Sequence, residues 1–238
     1  MHGAEMFPAI EGLLGRFGRQ AGGIEQIHLS IGPGSFTGLR IAVTMAKVMH
    51  LARPVRVAAV DTLDVVAANI TELSEEELAA IEAGIGSHWP AFSTADERPR
   101  PIRKVAAVLD AKRGQFYVAV YARQVEGPAR SEGARGGGRG CRWRRIRPAG
   151  LIGVSEFLAE FADPEDPVAL IGDGLLYHAE RFAVAGTVIL GREFWPARAA
   201  MVHALGWRMA EAGRFSDPVR LVPRYIRRPE AEEKWQGR

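Results

Sequence analysis

The chain carries a single cysteine, Cys141, which excludes an internal disulfide framework. No apolar run reaches the length of a membrane helix. The first residues show no basic-then-apolar leader pattern. A reducing, cytoplasmic setting with no membrane partner is the expectation. The histidines (His2, His28, His50, His88, His178 and His203) never pair at the three- or four-residue spacing that puts two imidazoles on one helical face. No metal site is therefore expected, and His28, in a strand, reads as a core or interface side chain. Ser35 is surrounded by GPGSFTG and not by the G-x-S-x-G of a nucleophile elbow. Cys141 lies among arginines without a positioned base, so nucleophilic catalysis is not expected either.

The bulk composition is ordinary. With 238 residues, 47% apolar and 25% charged, the chain can build one large domain or two small lobes. The formal net charge is +3, and much of the positive excess sits in a Gly/Arg-rich stretch at 127–147. Such a stretch reads either as solvated surface or as a basic patch meeting tRNA, and net charge reports general affinity, not specificity.

Periodicity predicts an α/β organisation. Met6, Ile10, Leu13, Leu14 and Phe17 repeat on one face of an amphipathic helix expected over His2–Gln20 and ended by Gly22–Gly23. A strand at Ile24–Ile31, a helix to about Leu51, a nearly all-apolar strand at Val55–Val60 and a helix from Thr62 to about Ile70 follow. On the second helix, Ala42 and Ala46 form a small-residue track and Met45 and Met49 an adaptable one. Residues 71–104 read as an insertion, opening on a helical piece whose Ser74 and Glu77 form a capping box. Strands at Val105–Asp110 and Gln115–Tyr121 make a hairpin around Gly114. Residues 127–148 offer little to bury and are expected to be disordered. Helices at Val154–Phe161, Leu175–Phe182 and Ala197–Ala212 alternate with strands at Val168–Ile171 and Thr187–Leu190. The resulting division is a lobe at 1–70, the insertion at 71–104, a second lobe at 105–215 and a polar tail at 216–238.

The most informative stretch is Gly32-Pro33-Gly34-Ser35-Phe36-Thr37-Gly38-Leu39-Arg40. It follows a strand and opens a helix. Glycine permits close backbone approach, proline fixes φ, and Ser35 or Thr37 can cap the helix. The N–H groups at such a start form an anion site, or the loop is simply a tightly packed turn.

This segment resembles the signature of the TsaB (YeaZ) family of the TsaD/Gcp-like (ASKHA) superfamily. Further stretches agree in order: Val108–Tyr117 resembles the family's "DAR-G-VY" element, Ile171–Gly174 its later Gly-x-Gly turn, and Pro223–Pro229 its "P-Y-R-P" tail. The resemblance implies an actin/Hsp70-like two-lobe fold. It implies a non-catalytic role in making tRNA threonylcarbamoyladenosine, beside a TsaD-like catalytic subunit and a TsaE-like ATPase, with tRNA met through the complex. No cofactor is implied for this chain by itself.

The chain opens at what corresponds to the family's first helix, without the initial strands and their "LA-DTS"-like segment. Three strands with turns would be roughly 25–40 residues. A misassigned start and a true truncation both account for this. With half of the superfamily's phosphate clasp absent, nucleotide hydrolysis is disfavoured. The weaker nucleotide-binding candidates are Gly34, Ser35, Asp110, Lys112, Gly114, Gly172 and Gly174; each also reads as part of a plain turn. They support the alternative of a nucleotide-binding transferase or ATPase. The interface candidates are Met6, Ile10, Leu13, Leu14, Phe17, Ala42, Met45, Ala46 and Met49, a surface able to serve a homodimer and a TsaD-like partner.

Overall fold

A computed structural model describes residues 5–88, 101–124 and 142–227. In chain order the helices are α1 (Met6–Arg16), α2 (Phe36–Ala52), α3 (Thr62–Thr71), α4 (Glu75–His88), α5 (Val154–Phe161), α6 (Ala179–Phe182) and α7 (Ala199–Glu211). The strands are β1 (Gln26–Ser30), β2 (Arg56–Val60), β3 (Lys104–Asp110), β4 (Gln115–Gln124), β5 (Arg142–Gly153), β6 (Val168–Ile171) and β7 (Thr187–Ile189). The architecture is α/β, as the alternating periodicity predicts. No helix among the described residues is long and apolar enough to cross a membrane.

The chain forms two compact units: Met1–Thr62 with Ala199–Tyr225, and Leu63–Arg198 with Ile226–Arg238. The long helix that the linear reading assigns to the second lobe, α7, lies in the first unit. Sequence adjacency cannot reveal such a return of the chain.

In the first unit, β1 and β2 pair in parallel, from Gln26↔Arg56 to Ser30↔Val60. Ile27, Leu29, Val43, Ala46, Val55 and Val57 form the core. Burying a side chain of this kind contributes about 1.5–3 kcal/mol. α2 packs chiefly over β1, and α7 packs over both strands. The α1 helix is shorter than its periodicity suggests. It stops at Gly18 (φ +59), where Arg19 N–H closes onto Leu14 O at 2.9 Å, and not at Gly22–Gly23. Residues 21–23 form a separate single 3₁₀ turn.

In the second unit the sheet order is β5-β4-β3-β6-β7. The β3–β4 and β4–β5 pairs are antiparallel, whereas β3–β6 and β6–β7 are parallel. Central strand β3 (KVAAVLD) is buried along five consecutive residues, as a strand covered on both faces must be. Phe116, Phe157 and Phe182 are fully buried and meet edge to face, Phe116–Phe182 at 5.1 Å and Phe157–Phe182 at 5.7 Å. The Ser74–Glu77 capping box forms as expected: Ser74 N–H donates to Glu77 Oε2 at 2.8 Å, and Glu77 N–H to Ser74 Oγ at 3.2 Å. Those two bonds hold the Glu77 carboxyl below its ordinary value.

Two expectations are corrected here. Residues 142–148 are not a disordered loop but the first part of β5, paired with β4 from Gln124↔Arg142 onward. Composition concealed this because the strand consists largely of arginine. Trp143, Arg145 and Arg147 lie half-buried while Arg144 and Ile146 are exposed, the period-two alternation of a strand. Arginine stems can cover apolar surface while the guanidinium finds a carboxylate: Arg145 pairs with Asp64, and Arg147 with Glu160 at 3.4 Å. Pro148, which has no N–H, falls at a register shift in the ladder. The remainder of that expectation, 127–141 with Cys141, lies outside the described residues, as do 89–100 of the insertion and 228–238 of the tail. The helix expected at Leu175–Phe182 is instead a 3₁₀ turn at Asp173–Leu175 followed by the single-turn α6.

Candidate functional site

In the first unit, the GPGSFTGLR loop is shaped by the chain's own tail. Arg224 N–H donates to Ile31 O at 2.7 Å, and Thr62 N–H donates to Gly32 O at 2.9 Å. A Cβ on Gly32 (φ +120) would lie 2.6 Å from Arg224 O, so glycine is required there. The Arg224 guanidinium pairs with the nearly buried Asp61. Tyr225 stacks on Phe36 at 5.2 Å and accepts a hydrogen bond from Arg40 Nε at 3.1 Å. The GPGSFTGLR loop and Arg224–Tyr225, far apart in sequence, thus pack together. Ser35 is the cap of α2, its Oγ accepting from Gly38 N–H at 3.3 Å. Gly34 and Ser35 both lie on the exposed side of this loop.

In the second unit the fold gathers Asp110, Lys112, Gly114, Gly172 and Gly174 where the parallel strands β3 and β6 end. Lys112 (φ +64), Arg113 (φ +56) and Gly114 (φ +72) are consecutive left-handed residues. Asp110 stabilises this turn, accepting from Lys112 N–H at 2.7 Å and pairing with Lys112 Nζ at 2.6 Å. The Arg227 guanidinium braces it from outside, donating to Ala111 O and Gln115 Oε1. Burial pushes the Asp110 carboxyl up, but the hydrogen bonds and charge of Lys112, helped by His178, outweigh it and hold the carboxyl below its ordinary value. Asp173 moves the other way. The residue is exposed as a whole, yet protein crowds its carboxyl, and this burial pushes it up; the Asp110 N–H opposes, and the Asp110 charge adds to the rise.

The two glycines are held there by packing. A Cβ on Gly172 (φ +123) would lie 2.1 Å from Val108 O, and one on Gly174 would lie 2.9 Å from Leu109 C. Backbone of β3 already occupies the space that a side chain at either position would need. Among the described residues no group of three or more His, Cys, Asp or Glu side chains is arranged to hold a metal ion.

The interface candidates divide. On α2, Ala46 is fully buried in this unit's own core, with Ala42 and Met49 packed against that core; Met45 is half-buried. On α1, Met6, Ile10 and Leu14 are half-buried, whereas Leu13 is 56% and Phe17 72% exposed. No residue of α1 is buried, and α1 packs substantially on no other element among the described residues.

One feature of the first unit left no mark in the sequence pattern. His28 stacks on His203 at 5.2 Å, beside a cavity of about 650 Å³ lined by β1 and α7 and ending at Trp207. The closest hint is Gly206 within α7, where a Cβ would lie 2.7 Å from His28 Cβ.

A family model for TsaD, tRNA N6-adenosine threonylcarbamoyltransferase, matches residues 1–91. The tRNA threonylcarbamoyladenosine biosynthesis protein TsaB of Bacillus subtilis (strain 168) is 24% identical over 237 residues, spanning 98% of this chain and 83% of the relative. YeaZ from Pseudomonas aeruginosa superposes with a TM-score of 0.66 at 19% identity, over 94% of this chain and 85% of that one. A second Pseudomonas aeruginosa structure, described as an uncharacterized protein with similarity to peptidase YEAZ, gives 0.67 at 20% identity over 95% and 85%. These structures share the α/β architecture of the actin-like superfamily. Ordered motifs, a near full-length match and a common fold agree, and together they support assignment of the chain to the TsaB (YeaZ) family.

Proposed function

We propose that this chain serves in the formation of threonylcarbamoyladenosine on tRNA, as a non-catalytic scaffold that binds a TsaD-like catalytic subunit. The similarity to the Bacillus subtilis tRNA threonylcarbamoyladenosine biosynthesis protein and the match of residues 1–91 to a transferase family support the pathway. The observation that carries the scaffold role is α1, an amphipathic helix whose Phe7, Leu13 and Phe17 are all more than half exposed. Val48 and Leu51 on α2 add further exposed apolar surface. Exposed apolar side chains of this size on one element mark an interaction surface. Tying Lys112 to Asp110 favours a scaffold over a nucleotide-dependent enzyme. In the assembly, a TsaE-like ATPase and tRNA meet this chain through the complex, and a homodimer uses the same face when the catalytic subunit is absent.

The test is co-elution with the cognate TsaD-like protein at micromolar concentration and low salt. Aromatic anchors in such interfaces are worth about 2 kcal/mol or more each, roughly thirtyfold in Kd. The double variant Leu13→Glu/Phe17→Glu is expected to lose co-elution while keeping its circular dichroism, since neither side chain is buried. A folded wild-type chain that recovers no partner would overturn the proposal.

A further inference from the structure

We propose that Val222–Tyr225 is a latch: it opens from the GPGSFTGLR loop while the rest of the first unit stays folded, and its closing fixes the start of α2. The chain leading to it is held in place. Ser216 N–H donates to Val57 O at 2.8 Å and Leu221 N–H donates to Asp217 O at 2.9 Å. Leu221 is buried in the core with Ile27, Leu29 and Val43. From Val222 to Tyr225, by contrast, every residue is half-buried or exposed. Segments with few buried apolar contacts and solvent-facing hydrogen bonds are those that open locally, at a small part of the cost of global unfolding.

The contacts that close the latch all reach the loop, its flanks or the first turn of α2. Arg224 N–H donates to Ile31 O at 2.7 Å, just before the loop, and the Arg224 guanidinium pairs with Asp61, just after β2. Arg224 O lies so close over Gly32 that an added Cβ would stand 2.6 Å from it. Tyr225 stacks on Phe36, the first residue of α2, with ring centroids 5.2 Å apart. Arg40, one turn on, sets its guanidinium 3.8 Å from the Phe36 ring centroid and donates from Nε to the Tyr225 hydroxyl at 3.1 Å. A ring from the tail and a cation from the helix thus meet on the one aromatic side chain that begins α2.

The start of α2 has little of its own to hold it. Phe36, Thr37 and Gly38 are exposed, the first buried residue of the helix is Leu39, and the Ser35 cap bond is 3.3 Å long. Glycine in a first turn is also a poor helix former. The tail supplies from outside the order that this turn lacks. Opening releases the Phe36 ring and the Arg40 guanidinium together, an aromatic–cation pair of the kind enriched at protein contacts. Ordering and release of a short segment is a recognised form of switching. Downstream of Tyr225 the chain enters the second unit, where Arg227 donates to Ala111 O. The open latch is therefore tethered at both ends, and a short tethered segment loses little entropy on closing again.

The test is amide hydrogen exchange in the full chain without any partner, so it is independent of the scaffold reading. In the wild type, Arg224 N–H is expected to exchange at least about tenfold faster than Arg56 N–H, whose bond to Glu25 O opens only with the β1–β2 ladder. The double variant Arg224→Ala/Tyr225→Ala removes the ion pair and the ring stack but keeps the backbone bond. Protection at Arg224, Gly38 and Leu39 should then drop about tenfold, the order of one lost aromatic contact. Arg56 and Ser216 should keep theirs. Tyr225→Phe retains the stack and loses only the hydroxyl, and should give a smaller drop. The proposal is overturned if Arg224 exchanges as slowly as Arg56 in the wild type, or if Gly38 and Leu39 keep full protection in the double variant. An equal loss at Arg56 and Ser216 also overturns it, because the tail would then open only with the whole unit.

Discussion

Gly172→Ala separates a glycine kept for packing from one kept for a ligand. The new Cβ would sit 2.1 Å from Val108 O and 2.9 Å from Val108 C, both main-chain atoms of the central strand. Ordinary contact begins near 3.4 Å, so β3 or the turn must move by more than 1 Å. Overpacking of a tight core costs about 1–3 kcal/mol. Holding an L-residue at φ +123 costs about 1–3 kcal/mol more. The sum, about 4 kcal/mol, is a large share of the roughly 5–15 kcal/mol that stabilises a typical domain. At about 4 °C per kcal/mol for a unit of this size, Tm should fall by roughly 15 °C. The control is Gly114→Ala. Its φ is +72, but a Cβ there meets nothing within 4 Å, so only the left-handed penalty of about 1 kcal/mol applies. Thermal unfolding of both variants by circular dichroism decides the matter. A Gly172→Ala protein that melts within about 2 °C of wild type would refute the packing role, since that shift corresponds to about half a kcal/mol.

Titration with ATP and magnesium is expected to give no saturable binding, because the polar groups around Asp110 already bond one another; saturable binding that Asp110→Asn weakens would favour the enzyme instead. Stability should also depend on pH through His28. Burial of the imidazole, with the neighbouring charge of His203, holds it below its ordinary value of 6.5. The fold therefore favours the neutral ring: this contribution is complete above pH 6.5 and is lost as pH falls from there towards the lowered folded value. Gln26 and His203 touch the ring and Glu25 lines the same cavity, so the variant to compare is His28→Gln. Its denaturation midpoint, read by tryptophan fluorescence, should fall less between about pH 7.5 and 5.5 than that of wild type, and equal slopes would count against His28.

Local chemistry made much of this protein legible before folding. The Ser74–Glu77 box, the β3–β4 hairpin and the limits of α5 and β6 depend on residues within a turn or a strand of one another. Periodicity reports such short-range demands directly. The arginine strand β5 was hidden because its stability comes from β4 alongside and from Asp64 and Glu160, none of them neighbours in sequence. The candidate site divides in the same way. The chain order alone marked GPGSFTGLR and PRYIRRP as distinctive, yet only tertiary structure showed that Arg224 and Tyr225 close over the loop. Likewise, Gly172 and Gly174 stood out as glycines, but their purpose depends on the β3 backbone lying against them. Nothing in the pattern of α7 announced that it would return to the first unit and leave a cavity beside β1. Amino-acid order determines which segments become helix or strand. Which edges and faces remain unsatisfied is decided by packing between segments far apart in the chain.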